Sequence, residues 1–134
     1  MTNQGEFSVQ GATVVVVDDD PAVRNSLKFS LEIEGFVVRV YRSGAELLDA
    51  RELPACSCLV VDHKMPGMTG LDLIAKLRDR HVSVPAILMT GQPNAVLSER
   101  AARADIPIVE KPLFGNTLMD KIRDACARDN GVRA

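Results

Sequence analysis

Three consecutive carboxylates, Asp18, Asp19 and Asp20, follow a run of valines, and Asp62 follows a second apolar run. Thr90 and Gly91 follow a third such run, and Lys111 and Pro112 a fourth. Carboxylates gathered in one place repel one another, and without a cation some stay protonated. An oxygen-rich cluster of this kind suits Mg²⁺, which takes octahedral oxygen ligands and keeps several waters. A lysine offsets the same negative charge and holds a phosphoryl oxygen; a threonine hydroxyl adds one donor. Carboxylate nucleophile, Mg²⁺, ammonium and hydroxyl are together the parts of a phosphoryl-transfer site, where positioning and charge neutralisation do most of the catalysis. Gly91 leaves room beside the acceptor.

These parts are far apart in the chain, so the fold must gather them. Short apolar runs at 12–17, 36–40, 58–61, 86–89 and 106–109 are rich in β-branched residues and read as strands. The first, third and fourth are nearly continuous in apolar character, as suits central parallel strands covered on both faces. The fifth contains Pro107, which cannot donate to a ladder and so belongs on an edge. Helical patterns lie between the runs. Val23, Leu27 and Leu31 recur every four residues, with Asp20-Pro21 as N-cap and first helical residue and Gly35 as C-cap. A second helix is expected over 43–52 with Leu47 and Leu48 inward, and a third from Gly70 with Leu71, Ile74 and Leu77 on one face. A fourth, alanine-rich, covers 93–104, and a fifth follows Pro112 with Phe114, Leu118, Ile122 and Ala125. Five strand–helix units with right-handed crossovers predict an α/β fold, a (βα)5 doubly wound parallel sheet. The flavodoxin-like strand order 2-1-3-4-5 places the fifth strand at an edge, and ligands of such sheets bind at the carboxyl ends of the strands.

The chain has 134 residues, enough for one domain, expected over 12–128 between a flexible leader (1–11) and a C-terminal tail (129–134). With 46% hydrophobic and 25% charged residues, wholesale disorder is excluded. A net charge of -2 argues against direct nucleic-acid binding, and 4% aromatics without Trp against a base-stacking platform. Cys56-x-Cys58 lacks zinc spacing, so the three cysteines read as buried or partly buried thiols in a reducing compartment. No apolar run approaches a membrane span, and residues 1–11 lack a signal-peptide core, so a cytoplasmic protein without a membrane partner is expected.

Val17-Asp18-Asp19-Asp20, Asp62-x-x-Met65-Pro66-Gly67-Met68-x-Gly70, Met89-Thr90-Gly91 and Glu110-Lys111-Pro112 stand in order at strand ends. The set resembles the receiver domain of bacterial two-component response regulators, the CheY-like superfamily, over about 13–128. Within it, the Val-Asp-Asp start and Glu-Lys-Pro finish look closest to the nitrogen-fixation regulator type. The resemblance implies that Asp62 accepts a phosphoryl group from a histidine of a sensor kinase or histidine phosphotransfer protein, for an unknown downstream effector. It implies Mg²⁺ held by Asp19 and Asp62, by the Lys64 backbone carbonyl, and by Asp18 through water. Thr90 and Lys111 would bind the phosphoryl oxygens, and Lys111-Pro112 would be cis.

Several residues carry plainer readings. Asp20 is expected to cap a helix, and Thr90 also fits a turn cap. His63 reads as a surface residue or a modulator of access, because successive side chains leaving a strand diverge. Arg24 and Lys28 read as a solvated helix face, or as part of a kinase-docking surface beside Val23 and Leu27. Many receivers carry an aromatic three residues before the lysine; here it is Ile108. The stretch Arg103-Ala104-Asp105-Ile106-Pro107 lacks the family's usual Ala-Gly pair. Lys64 and Gln92 flank the site and are expected to set the acyl-phosphate lifetime. One rival is a haloacid-dehalogenase-type phosphohydrolase with Asp18 as nucleophile; it leaves Asp62 unexplained and finds its late acids only at Asp120, Asp124 and Asp129. Another is a receiver-like binding module that is never phosphorylated. After the fifth helix too few residues remain for a DNA-binding output domain, which fits a stand-alone receiver or a piece of a longer regulator.

Overall fold

A computed structural model describes residues 11–50, 55–113 and 115–133, with side chains through residue 127. The expected leader to residue 10, the helical Glu52 and the inward Phe114 lie outside the described residues. The elements are β1 (Thr13–Val17), α1 (Pro21–Ile33), β2 (Val37–Tyr41), α2 (Gly44–Asp49), β3 (Cys58–Asp62), α3 (Gly70–Asp79), β4 (Ala86–Thr90), α4 (Ala95–Arg103), β5 (Ile108–Glu110) and α5 (Thr117–Arg133). All strand pairs are parallel, and the order is β2-β1-β3-β4-β5, as expected for the flavodoxin-like sheet.

The pleat sorts the core into two layers. Val14, Val16, Cys58, Val60, Ile87, Met89 and Val109 pack with Leu27 and Leu31 of α1 and with Leu118, Ile122 and Ala125 of α5. The alternate residues Val15, Val17, Leu59, Val61, Ala86 and Leu88 pack under α2, α3 and α4, against Leu47, Leu73, Leu77 and Leu97. Both faces of the central strands are therefore covered, which accounts for their unbroken apolar runs. Cys58 and Cys126 are buried and Cys56 is half-buried.

Element boundaries follow their caps. The Asp20 side chain accepts from the Ala22 amide with Pro21 at the first helical position, as the sequence indicates. Gly35 lies one residue past the C-cap Glu34 with φ of 99°. There the Phe36 and Gly35 amides donate to the Leu31 and Glu32 carbonyls, a Schellman closure. Ser43, expected inside the second helix, is its N-cap. Asn94 caps α4, so that helix begins two residues after Pro93. The fifth helix begins at Thr117 rather than directly after Pro112 and continues to Arg133, past the boundary at 128. Pro107, placed within the fifth strand by its apolar run, precedes β5; it needs no donor there, and its carbonyl accepts from the Leu88 amide.

The missing Ala-Gly pair has a structural counterpart. After α4, Asp105 takes the left-handed turn with φ of 59°, while its amide and that of Ile106 donate to Ala102 and Ala101. An aspartate tolerates this conformation better than most residues, yet glycine adopts it without a Cβ penalty. Asp105→Gly is expected to raise stability by about 0.5 kcal/mol in urea unfolding at unchanged m-value. A loss of stability would show that the exposed aspartate contributes more than its backbone costs.

Candidate functional site

The pleat also decides which side chains meet at the carboxyl edge. Asp18 continues the Val14–Val16 set, Asp62 the Cys58–Val60 set and Lys111 the Val109 position, so all three leave the sheet on the α1/α5 side. Thr90 continues the Ala86–Leu88 set and His63 the Leu59–Val61 set, on the opposite side. Asp62 and Thr90, which the sequence reading put just after their strands, are the last residues of β3 and β4. The parallel ladder runs one residue further than the apolar runs, through the pairs Asp62 with Met89 and Thr90 with Glu110.

At that edge Asp18, Asp19 and Asp62 each offer a carboxylate oxygen, all within 4.8 Å of one another. Asp18 is 0% exposed and Asp62 6%, whereas Asp19 is open to solvent. The Lys111 Nζ lies 2.9 Å from Asp18 Oδ2 and 3.1 Å from Asp62 Oδ1, bridging the two buried carboxylates. The other Asp18 oxygen accepts from the Asp20 amide at 2.9 Å. β5 is anchored here by the Lys111 amide, which donates to the Thr90 carbonyl at 2.8 Å. The Lys111–Pro112 bond is cis.

The electrostatics follow from this packing. Burial and then the Asp18 charge push the Asp62 carboxyl above the usual aspartate range; the Lys111 bond and charge oppose this, and Asp19 adds a further upward push. Burial acts to lower the Lys111 ammonium, but its bonds to Asp18 and Asp62 and their charges outweigh it, so its pKa lies above the usual value. Three carboxylates against one ammonium leave negative charge uncompensated, and an all-oxygen donor set of this geometry fits a hard divalent cation.

Around Asp62 opens a cavity of about 450 Å³ whose lining includes Thr90, Lys111, Lys64, Gln92 and His63. Thr90 is buried, and its hydroxyl oxygen accepts from the Gln92 amide at 3.1 Å, so it caps the turn while also facing the cavity. Lys64 and Gln92 are exposed at the mouth. Gly70 closes the acceptor loop: its amide donates to the His63 carbonyl, and a Cβ there would lie 2.7 Å from the Asp62 carbonyl oxygen. A side chain does not fit between α3 and β3 at this point.

Two residues behave differently from their sequence readings. His63 does diverge from Asp62, but toward α3 and α4 rather than to open surface. It is half-buried, its Nδ1 has no hydrogen-bond partner among the described residues, and burial and then Arg100 lower its pKa. Arg24 is not a purely solvated residue: its guanidinium donates to the Asp18 carbonyl at 2.8 Å. A base in the first turn of a helix opposes the helix dipole, and that misplaced charge beside three acids was the available signal. Lys28 pairs with Glu32 on the exposed helix face. The late acids Asp120 and Asp124 lie on α5, outside the carboxylate cluster, so among the described residues the dehalogenase-type arrangement is not assembled. Among the described residues, no helix is long and apolar enough to cross a membrane.

Comparison with known proteins agrees with this geometry. The model of the response regulator receiver domain matches residues 14–123. The transcriptional regulatory protein FixJ of Azorhizobium caulinodans is 38% identical over 118 residues, covering 86% of this chain and 55% of that protein. The C4-dicarboxylate transport transcriptional regulatory protein DctR of Rhodobacter capsulatus is 34% identical over 122 residues, covering 89% of this chain and 62% of DctR. The chain thus spans little more than half the length of these curated relatives. Among solved structures, FixJ-N superposes with a TM-score of 0.76 at 32% identity, covering 89% of this chain and 95% of that one. A CheY-like receiver domain protein from Methanospirillum hungatei superposes with a TM-score of 0.83 at 26% identity, covering 91% and 98%. The regulator type read from the two ends of the motif set fits the FixJ matches. With its family model spanning most of the sequence and its acids and lysine gathered at one sheet edge, the chain belongs to the response regulator receiver domain family.

Proposed function

We propose that this receiver takes a phosphoryl group onto Asp62 from a phosphohistidine of a sensor kinase or histidine phosphotransfer protein. The Asp62 carboxylate oxygen attacks phosphorus; a P–O bond forms as the P–N bond breaks, and the donor ring, protonated beforehand at its other nitrogen, takes the electron pair and leaves as neutral imidazole. The product is an acyl phosphate that alters the surface offered to a downstream effector protein. The observation that carries this reading is the Lys111 ammonium held between Asp18 and Asp62 inside a three-carboxylate cluster.

Asp19 and Asp62 would hold Mg²⁺ through their carboxylates, Lys64 through its backbone carbonyl, and Asp18 through a metal-bound water. The last role is supported by the Asp18 oxygens, which are already engaged by Lys111 and the Asp20 amide. Bound Mg²⁺ supplies charge neutralisation for the transferring group. Lys111 and Thr90 are the residues for the phosphoryl oxygens: Lys111 Nζ already lies 3.1 Å from Asp62 Oδ1, and the Thr90 hydroxyl faces the same cavity. A largely apolar groove between α1 and α5, with Val23, Leu27, Leu118 and Met119 in its walls, opens beside Lys111 and suits the docking partner. Arg24 and Lys28 would flank that docking surface.

Incubation with acetyl phosphate and Mg²⁺ is expected to leave a base-labile phosphate on the protein, absent in Asp62→Asn and blocked by EDTA. Labelling that persists in Asp62→Asn and vanishes in Asp18→Asn would favour the phosphohydrolase arrangement instead. Lys64→Ala and Gln92→Ala are expected to alter the decay rate of the acyl phosphate, because both side chains stand where water enters; decay rates indistinguishable from wild type would end that idea.

A carboxyl whose folded pKa is raised binds more protons folded than unfolded, so stability falls as pH rises from the ordinary aspartate value through the raised one. Asp62→Asn removes this cost. In EDTA at about pH 7 the variant is expected to melt above wild type, with the gap closing as the pH falls toward about 4. An equal or lower Tm near neutrality would refute the account of a costly buried charge.

A further inference from the structure

We infer that Arg24 is a positioning residue for the acidic loop, holding the Asp18–Asp19 backbone in the conformation that binds the divalent cation. The inference rests on the proposed Mg²⁺ site and extends it to a residue outside the ligand set.

Asp18 is the first residue beyond β1, where its amide still donates to the Tyr41 carbonyl at 3.2 Å. Its own carbonyl has passed the end of the strand, and α1 does not begin until Pro21, which has no amide hydrogen to offer. The guanidinium of Arg24, the fourth residue of α1, reaches back to that carbonyl at 2.8 Å. The loop is thereby held at three points: the Asp18 carbonyl by Arg24, the Asp18 carboxylate by the Asp20 amide, and the Asp20 carboxylate by the Ala22 amide. Asp19 sits inside this bracket with an exposed side chain, so the bracketed backbone fixes where that side chain starts.

The placement runs against local helix preference. A cation in the first turn opposes the helix dipole; within α1 that turn holds no acid, and only the N-cap Asp20 offsets the charge. Arg24 also lies near the acids that would receive Mg²⁺, where its charge repels a metal ion. The two effects have opposite signs, which makes them separable. If Arg24 acted only as a charge, removing it would tighten Mg²⁺ binding; if it positions the loop, removing it weakens binding.

The test is titration calorimetry of the whole unphosphorylated chain with Mg²⁺, alongside urea unfolding in EDTA. Arg24→Met is expected to weaken Mg²⁺ about tenfold, the scale seen when groups supporting metal ligands are removed. Arg24→Lys keeps one donor without the planar fork and is expected to weaken binding about threefold. Arg103→Met, the same charge change on α4 where Arg103 pairs with Glu99, is expected to leave the affinity unchanged. Binding by Arg24→Met as tight as wild type, or tighter, overturns the inference. Where Arg24→Met does not fold, Arg24→Lys decides alone, and wild-type affinity in it overturns the inference. Wild-type protein that binds no Mg²⁺ overturns the metal site itself and this inference with it.

Discussion

Two buried carboxylates, Asp18 and Asp62, share one ammonium, and much of the molecule is arranged around that contact. Neither carboxylate group has another cation at bonding distance among the described residues, and both are buried. Lys111 directly follows β5, a three-residue strand at the sheet edge, and reaches the acids because Val109 fixes its parity in the pleat. Its amide is tied to the Thr90 carbonyl, so the hydroxyl residue and the ammonium are brought together by one backbone bond.

The order of the motifs was legible because a parallel sheet leaves little choice: residues that end successive strands must converge on one edge. The strand order was not readable from the apolar pattern itself: Pro107 argued only for an edge place for the fifth strand, and in the structure it precedes β5. The side-chain groupings within that edge were harder to see. They depend on whether each strand ends on an odd or even pleat position, and an apolar run ending one residue early conceals that parity, as at Asp62 and Thr90. Helix starts slipped for a related reason. α4 and α5 begin at Ala95 and Thr117, some residues after Pro93 and Pro112, and the intervening loops have no periodicity to mark them.

The departures from the family pattern separate into two kinds. Asp105, in the stretch without the Ala-Gly pair, holds a left-handed turn at a conformational cost. Ile108 replaces an aromatic and changes what can move. It is half-buried against the α3/α4 layer, paired in register with Leu88, and a β-branched side chain has few rotamers to exchange.

The contact between Gly70 and the acceptor strand bears on how far a change at Asp62 can travel. The segment from His63 to Gly70 is a closed ring, shut by the Gly70 amide on the His63 carbonyl and by the absence of space for any Cβ at its seam. Strand end and helix start are thus coupled directly, so a displacement of the acceptor bears on the first turn of α3. Compliance on that side of the sheet is left to the stretch from Gly91 to Asn94, whose residues are exposed and which has no comparable seam.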